Sequence, residues 1–187
     1  MHFDSQLDYG RRSRRGLWGW LRQRELRAVR AVCPPLHGLR IWEACAGAGY
    51  YTEWMVAEGA REVVAVDRSA TMLAQIPSGP IRSLCMDVGD FCETGFDLTA
   101  CLGGLEFLPC AASFFAQAAA SGSGQLLLLT PRRNLGGQLY KFYHACKGNR
   151  VFLRSAEELD RAGAACGWQR RARRLASPYS EAWAYQR

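Results

Sequence analysis

The chain has 187 residues, 49% of them hydrophobic, with a formal net charge of +7 and eight cysteines. A chain of that length builds one domain around a single sizeable core, and no run reaches the roughly 18 apolar residues of a membrane-spanning helix. The opening Met1-His-Phe-Asp-Ser lacks the charged-then-apolar plan of a secretory signal, so a cytoplasmic location is the expectation.

The basic charge is unevenly spread. Residues 1–40 carry nine arginines against three acids, residues 41–149 seven bases against ten acids, and residues 150–187 eight bases against four acids. Basic ends of this kind suit RNA, an anionic membrane or an acidic small molecule, and they also occur as plain solvated surface. The first segment, residues 1–38, opens on Arg11-Arg-Ser-Arg-Arg15 and continues as a predicted helix from Gly16 to Cys33, ahead of Pro34-Pro35. Trp18, Leu21, Ala28, Val29 and Val32 share one side of it at helical spacing and are expected to pack, while Trp20 points among the arginines.

From Leu39 the sequence reads as strand, glycine turn, helix, strand and acid. A short apolar run reaches Glu43, Gly47 and Gly49 open a helix, and Arg61-Glu-Val-Val-Ala-Val-Asp67 ends in a carboxylate that can accept both hydroxyls of a ribose. Nicotinamide and flavin enzymes place a third glycine three residues after the second, where the helix meets the sheet. Here Tyr50, Tyr51 and Thr52 follow Gly49 instead.

The segment Glu43-Ala-Cys-Ala-Gly-Ala-Gly49 resembles motif I of the class I S-adenosylmethionine-dependent methyltransferases, acid-x-Gly-x-Gly-x-Gly, with Cys45 at the first glycine. The resemblance covers roughly residues 39 to 187. Ile81 to Asp87 is similar to the family's third strand, which ends in an acid facing the adenine amino group, and Phe96 to Pro109 to its fourth strand and loop, with Phe107 where a histidine often stands. Gln125-Leu-Leu-Leu-Leu-Thr-Pro131 reads as a fifth, fully buried strand. The resemblance implies S-adenosyl-L-methionine as cofactor, held by Glu43, Cys45, Ala46, Gly47, Gly49, Tyr51, Asp67, Arg68, Asp87, Val88 and Leu102.

Asn134 to Lys147 reads as a loop opening a helix, on which Tyr140 and His144 lie four residues apart on one face beside Tyr143. Ser155 and Glu158 have the spacing of a capping box, and the helix they start should stop at Gly163 or Gly167. Trp168 to Ser177 and Glu181 to Gln186 then read as two strands joined through Pro178, which resembles the closing antiparallel hairpin of the methyltransferase sheet. The fold expected is therefore α/β: a Rossmann-like, seven-stranded, mostly parallel sheet with an antiparallel C-terminal hairpin and helices on both faces, in one domain spanning 1–187.

Direct in-line methyl transfer needs no covalent residue, and positioning supplies much of the rate. An acceptor protonated at neutral pH would need a base. His144 is the titratable candidate, because an unperturbed imidazole titrates near neutrality, with Tyr140 and Glu106 beside it as further catalytic candidates. In similar small methyltransferases the segment before the first strand often folds across the substrate mouth, so residues 1–38 read as a lid, a membrane foot or a plain covering helix. The loop Leu102-Gly-Gly-Leu-Glu-Phe-Leu-Pro109 lacks the Pro-Pro-Tyr motif of nucleobase amino methylases, which argues against nucleic acid and for a small, partly apolar acceptor. A non-catalytic binding module and a non-methylating enzyme on the same fold are the alternatives, and a monomer or homodimer is expected. The eight cysteines, Cys33, Cys45, Cys85, Cys92, Cys101, Cys110, Cys146 and Cys166, form no Cys-x-x-Cys pair and are expected as reduced, buried thiols with no metal site.

Overall fold

The computed structural model describes residues 16–187. His2 and the arginine run at 11–15 lie outside the described residues. In chain order the elements are α1 (Gly16–Arg30), β1 (Arg40–Ala44), α2 (Tyr50–Ala57), β2 (Glu62–Asp67), the short α3 (Ala70–Leu73), β3 (Ile81–Cys85), β4 (Leu98–Leu102), α4 (Ala111–Ala120), β5 (Gln125–Pro131), α5 (Leu135–Ala145), α6 (Ala156–Ala164), β6 (Gln169–Leu175) and β7 (Ser180–Gln186). All seven strands join one sheet in the order β3-β2-β1-β4-β5-β7-β6. The first five are parallel, and β7 runs antiparallel to both β5 and β6, as the expected hairpin requires.

The strand sequences explain why the sheet is covered on both faces. In β1, β2, β4 and β5 the buried residues run continuously, so alternate side chains are buried on opposite sides of the sheet. One face carries Trp42, Val64, Leu126 and Leu128 against Phe114 and Phe115 of α4 and Leu159 of α6. The other carries Ile41, Val63, Leu98 and Leu127 against Ala28 and Val29 of α1 and Tyr51, Trp54 and Met55 of α2. The strand β6 is the exposed edge, and its arginine-rich sequence protects that edge from pairing with another chain. Among the described residues no helix is long and apolar enough to cross a membrane.

Two local expectations change, and a third is narrowed. Trp18 is half exposed instead of packed, because α1 turns only the Glu25, Ala28 and Val29 side of its later turns to the sheet. The capping box at Ser155 and Glu158 forms as predicted, but Gly163 is buried within α6 and the chain reverses at Gly167, which has φ 81°. All eight cysteines are free, yet Cys85, Cys92, Cys110 and Cys146 are exposed, because they lie at element ends and in loops instead of core strands. Only Cys101, within β4, is fully buried.

Candidate active site

The strand order reverses direction between β1 and β4, and in open α/β sheets a ligand crevice forms outside the carboxyl ends of the strands at such a point. The residues expected to hold a cofactor come from these ends. Glu43 to Gly49 lead out of β1, Asp67 and Arg68 end β2, Asp87 and Val88 follow β3, and Leu102 ends β4.

The turn after β1 winds through three left-handed residues, Cys45 (φ 57°), Gly47 (φ 56°) and Gly49 (φ 78°). Only glycine adopts that region without steric cost, so Cys45 holds a glycine conformation at the position where the motif has glycine. A side chain at Gly49 would also stand 2.8 Å from Cγ1 of Ile76, which makes that glycine a packing requirement. Asp67 fastens the turn: its Oδ2 accepts the Gly47 N–H at 2.9 Å and its Oδ1 the Ser69 N–H at 2.9 Å. The Ala46 N–H donates to the Val66 carbonyl at 3.1 Å, tying the same turn to β2. Gly49 caps α2 and has no side chain with which to accept from the first amide groups of that helix.

Other members of the predicted set sit differently. Glu43 is buried beneath the turn, where it accepts a hydrogen bond from the Thr52 hydroxyl of α2. Burial pushes its carboxyl up to about 8, so it braces β1 against α2 largely in the protonated form at neutral pH. Tyr51 is buried too, and its hydroxyl donates toward Glu25 of α1 at 3.4 Å. Asp87 is exposed at the end of β3, its Oδ1 accepting the Gly89 N–H at 2.8 Å. Arg68 is exposed beside it, and Ala46, Val88 and Leu102 are buried.

Beyond these residues, the loop after β4 meets α5. The Tyr140 hydroxyl donates to Glu106 Oε1 at 3.0 Å, the Tyr140 and His144 rings lie 4.4 Å apart, and Phe107 meets the His144 ring edge-on at 5.3 Å. The three candidate catalytic residues thus come together from two distant stretches of sequence. Their electrostatics reverse one expectation. Burial, with a smaller contribution from Lys147, pushes the His144 imidazole down to about 4, so it is neutral at pH 7. Burial pushes the Glu106 carboxyl up to about 7, and Glu106 is therefore the group of this cluster that titrates near neutrality. Glu106 Oε2 and His144 Nδ1 are both buried polar atoms without a hydrogen-bond partner among the described residues.

Sequence reading missed the layer beside this cluster. Glu25 of α1 is buried, accepts the Ser180 hydroxyl at 2.9 Å, and has Arg22 Nη1 at 3.9 Å. Tyr179, in the turn before β7, stacks on Tyr140 with centroids 5.3 Å apart and planes 13° apart. A signal for Glu25 exists in the sequence: it is the single acid of α1 and falls on the Leu21, Ala28, Val32 stripe.

Residues 42–125 match the protein family described as Methyltransferase domain. Among solved structures, the chain is similar to magnesium protoporphyrin IX methyltransferase from Synechocystis PCC 6803 with bound SAH, at 18% identity, TM-score 0.81, covering 100% of this chain and 96% of that one. It is also similar to an S-adenosylmethionine-dependent methyltransferase from Mesorhizobium loti (21% identity, TM-score 0.73, 88% of this chain and 98% of that one). A third is a SAM-dependent methyltransferase from Thermotoga maritima (14% identity, TM-score 0.75, 97% of each chain). No curated protein sequence matches this chain. At these identities the likeness to solved structures is one of fold.

Proposed function

We propose that the chain is a class I S-adenosylmethionine-dependent methyltransferase and that it methylates a small, partly apolar acceptor held between the loop after β4, α5 and the hairpin turn. The observation that supports the acceptor side is the pair of buried atoms without a partner among the described residues, Glu106 Oε2 and His144 Nδ1, on residues that both contact Tyr140. An unsatisfied buried polar atom costs on the order of 1–3 kcal/mol, and an acceptor carrying a hydroxyl or amino group would supply the missing partners. The rings of Phe107, Tyr140 and Tyr179 offer such a molecule an apolar bed.

S-adenosylmethionine, when bound, supplies a sulfonium methyl group that is open to attack by a nucleophile. The residues of this chain then have separate tasks. The left-handed turn from Cys45 to Gly49 keeps side chains out of the crevice, and Asp67, which already fixes that turn through Gly47, retains acceptor capacity for ribose hydroxyls. Asp87 stands at the β3 end of the same edge, where it can meet the adenine amino group. Glu106 in its ionised form can take a proton from the acceptor, while Tyr140 holds its other oxygen in place. His144, neutral at pH 7, orients the acceptor instead of carrying charge. The α1 helix closes the back of this space through Glu25, Tyr51 and Ser180, a role between lid and covering helix.

Calorimetric titration of the purified protein with S-adenosylmethionine and S-adenosylhomocysteine, with NAD as control, tests the reading. Binding of both sulfur nucleosides, none of NAD, and affinity about tenfold or more weaker in Asp67→Ala is the expected result. Failure of folded protein to bind either nucleoside would overturn it and favour a binding module that has kept only the fold.

A further inference from the structure

We propose that the outer faces of α1 and α5 together form a docking surface for an anionic lipid bilayer. Eight large apolar side chains are exposed among the described residues, and seven of them lie on these two helices. On α5, Leu135, Leu139 and Phe142 follow one another at spacings of four and three and are 78%, 63% and 68% exposed. A helix of a soluble domain normally turns such a stripe inward. Here the stripe faces out, and Gly137 is the one buried residue of the helix. On α1, Leu17, Trp18 and Trp20 are exposed as well. Trp18 meets Tyr143 with ring centroids 6.1 Å apart, so the two patches are continuous.

The exposed charge carried by these two stretches themselves has one sign. Residues 16–30 and 135–150 contain a single acid, Glu25, and it is buried. Arg24, Arg27, Lys141, Lys147 and Arg150 are exposed on the same two stretches. Arg24 lies over the Trp20 ring at 4.9 Å and Lys147 over the Tyr143 ring at 4.3 Å. Arg30 is balanced by Glu58 at 2.8 Å.

These features fit a bilayer better than a second copy of the chain. A two-fold contact would set each patch against itself and bring its cations together. A bilayer accepts exposed leucine and phenylalanine into its boundary, seats tryptophan and tyrosine at headgroup depth, and pairs lysine and arginine with anionic lipid. The surface adjoins the Tyr140 and His144 cluster through Tyr143, so a docked protein would turn the acceptor side toward the lipid. The docking itself does not depend on methyl transfer.

Cosedimentation with vesicles of mixed phosphatidylglycerol and phosphatidylcholine, against vesicles of phosphatidylcholine alone, is the test. Full-length protein should bind the anionic vesicles and be released by high salt. The variant Leu139→Glu/Phe142→Glu, altered only at exposed positions, should bind about tenfold more weakly, and Lys141→Glu/Lys147→Glu should weaken binding chiefly at low salt. Leu175→Glu, at an exposed apolar residue on β6, should bind as wild type does. Absence of binding to anionic vesicles, or equal loss in the Leu175 variant, would overturn the proposal. So would a concentration-dependent dimer that the α5 variant abolishes while vesicle binding stays unchanged.

Discussion

Cys45 fills the space that a side chain at Gly104 would need: a Cβ built on Gly104 would stand 2.3 Å from the Cβ of Cys45 and 2.9 Å from its Sγ. The two residues sit on neighbouring strand ends, after β1 and β4, where the crevice opens. The left-handed backbone of Cys45 turns its side chain to that side. A departure from glycine at position 45 is thus matched by a glycine at position 104.

This pairing predicts strong coupling. Gly104→Ala alone should destabilise the fold by about 2 kcal/mol or more, because two carbon atoms cannot share that distance. Cys45→Gly relieves a left-handed cost of about 1 kcal/mol and empties the space. Urea denaturation of both single variants and the double variant gives the answer: Cys45→Gly should stabilise the Gly104→Ala protein by at least about 1 kcal/mol more than it stabilises wild type. Simple additivity of the two changes would show that the sites do not share space.

The pH dependence of turnover should belong to Glu106. Its carboxyl is pushed up to about 7 by burial, while the imidazole of His144 is pushed down to about 4. With an acceptor in hand, kcat/KM should rise through about pH 7 as Glu106 ionises, and Glu106→Gln should remove that limb with a loss of about 100-fold. Tyr140→Phe removes a hydrogen bond to the carboxylate, so it should move the limb to higher pH. His144→Asn should leave the limb where it is. A limb that vanishes in the His144 variant and persists in Glu106→Gln would reverse the assignment.

The strands, the glycine turn and the closing hairpin were legible because each rests on a local pattern. Continuous apolar runs specify buried parallel strands, and Gly47 and Gly49 mark a left-handed turn wherever they occur between two of them. The cluster at Glu106, Tyr140 and His144 was legible in its members, since aromatic and titratable residues at helical spacing stand out. Its electrostatics were not. Whether an imidazole or a carboxyl titrates near neutrality depends on desolvation, and desolvation depends on what packs around the group. Glu25 and Tyr179 were missed for a related reason. Both act through partners far away in sequence, as Glu25 does with Ser180, and only the closing of α1 over β7 brings them together.

Glu43 should make the folded state less stable as pH rises. Its carboxyl titrates at about 8 in the fold against 4.5 in an unperturbed chain. Between those values the folded protein keeps a proton that the unfolded chain has released, so raising the pH favours unfolding, with the loss complete above the folded value. The effect is on the order of a few kcal/mol at most. Glu43→Gln still offers Thr52 an acceptor and has no proton to lose. Unfolding free energies measured across the range should show the Gln variant gaining on wild type as pH rises. A constant difference at every pH would mean that Glu43 does not titrate in this window.

Asn134 and Gly137 should control turnover without controlling cofactor affinity. Asn134 caps α5 by accepting the Gly137 N–H on Oδ1 at 2.9 Å, and its Nδ2 donates to the Pro178 carbonyl at 2.9 Å, which ties the helix to the turn that carries Tyr179. Asn134→Ala should cost about 1 kcal/mol, while Asn134→Asp keeps the cap and loses only the tie to Pro178. Gly137→Ala is more severe, since its Cβ would fall 1.8 Å from the Arg132 carbonyl oxygen and the backbone has to move. That movement displaces Tyr140 and His144, one and two helical turns further along, from Glu106 and Phe107. The turn after β1 and Asp67 belong to other elements and stay in place. Folded Gly137→Ala protein should therefore bind S-adenosylhomocysteine nearly as wild type does and lose most of its turnover, and parallel loss of both would show that α5 also shapes the cofactor crevice.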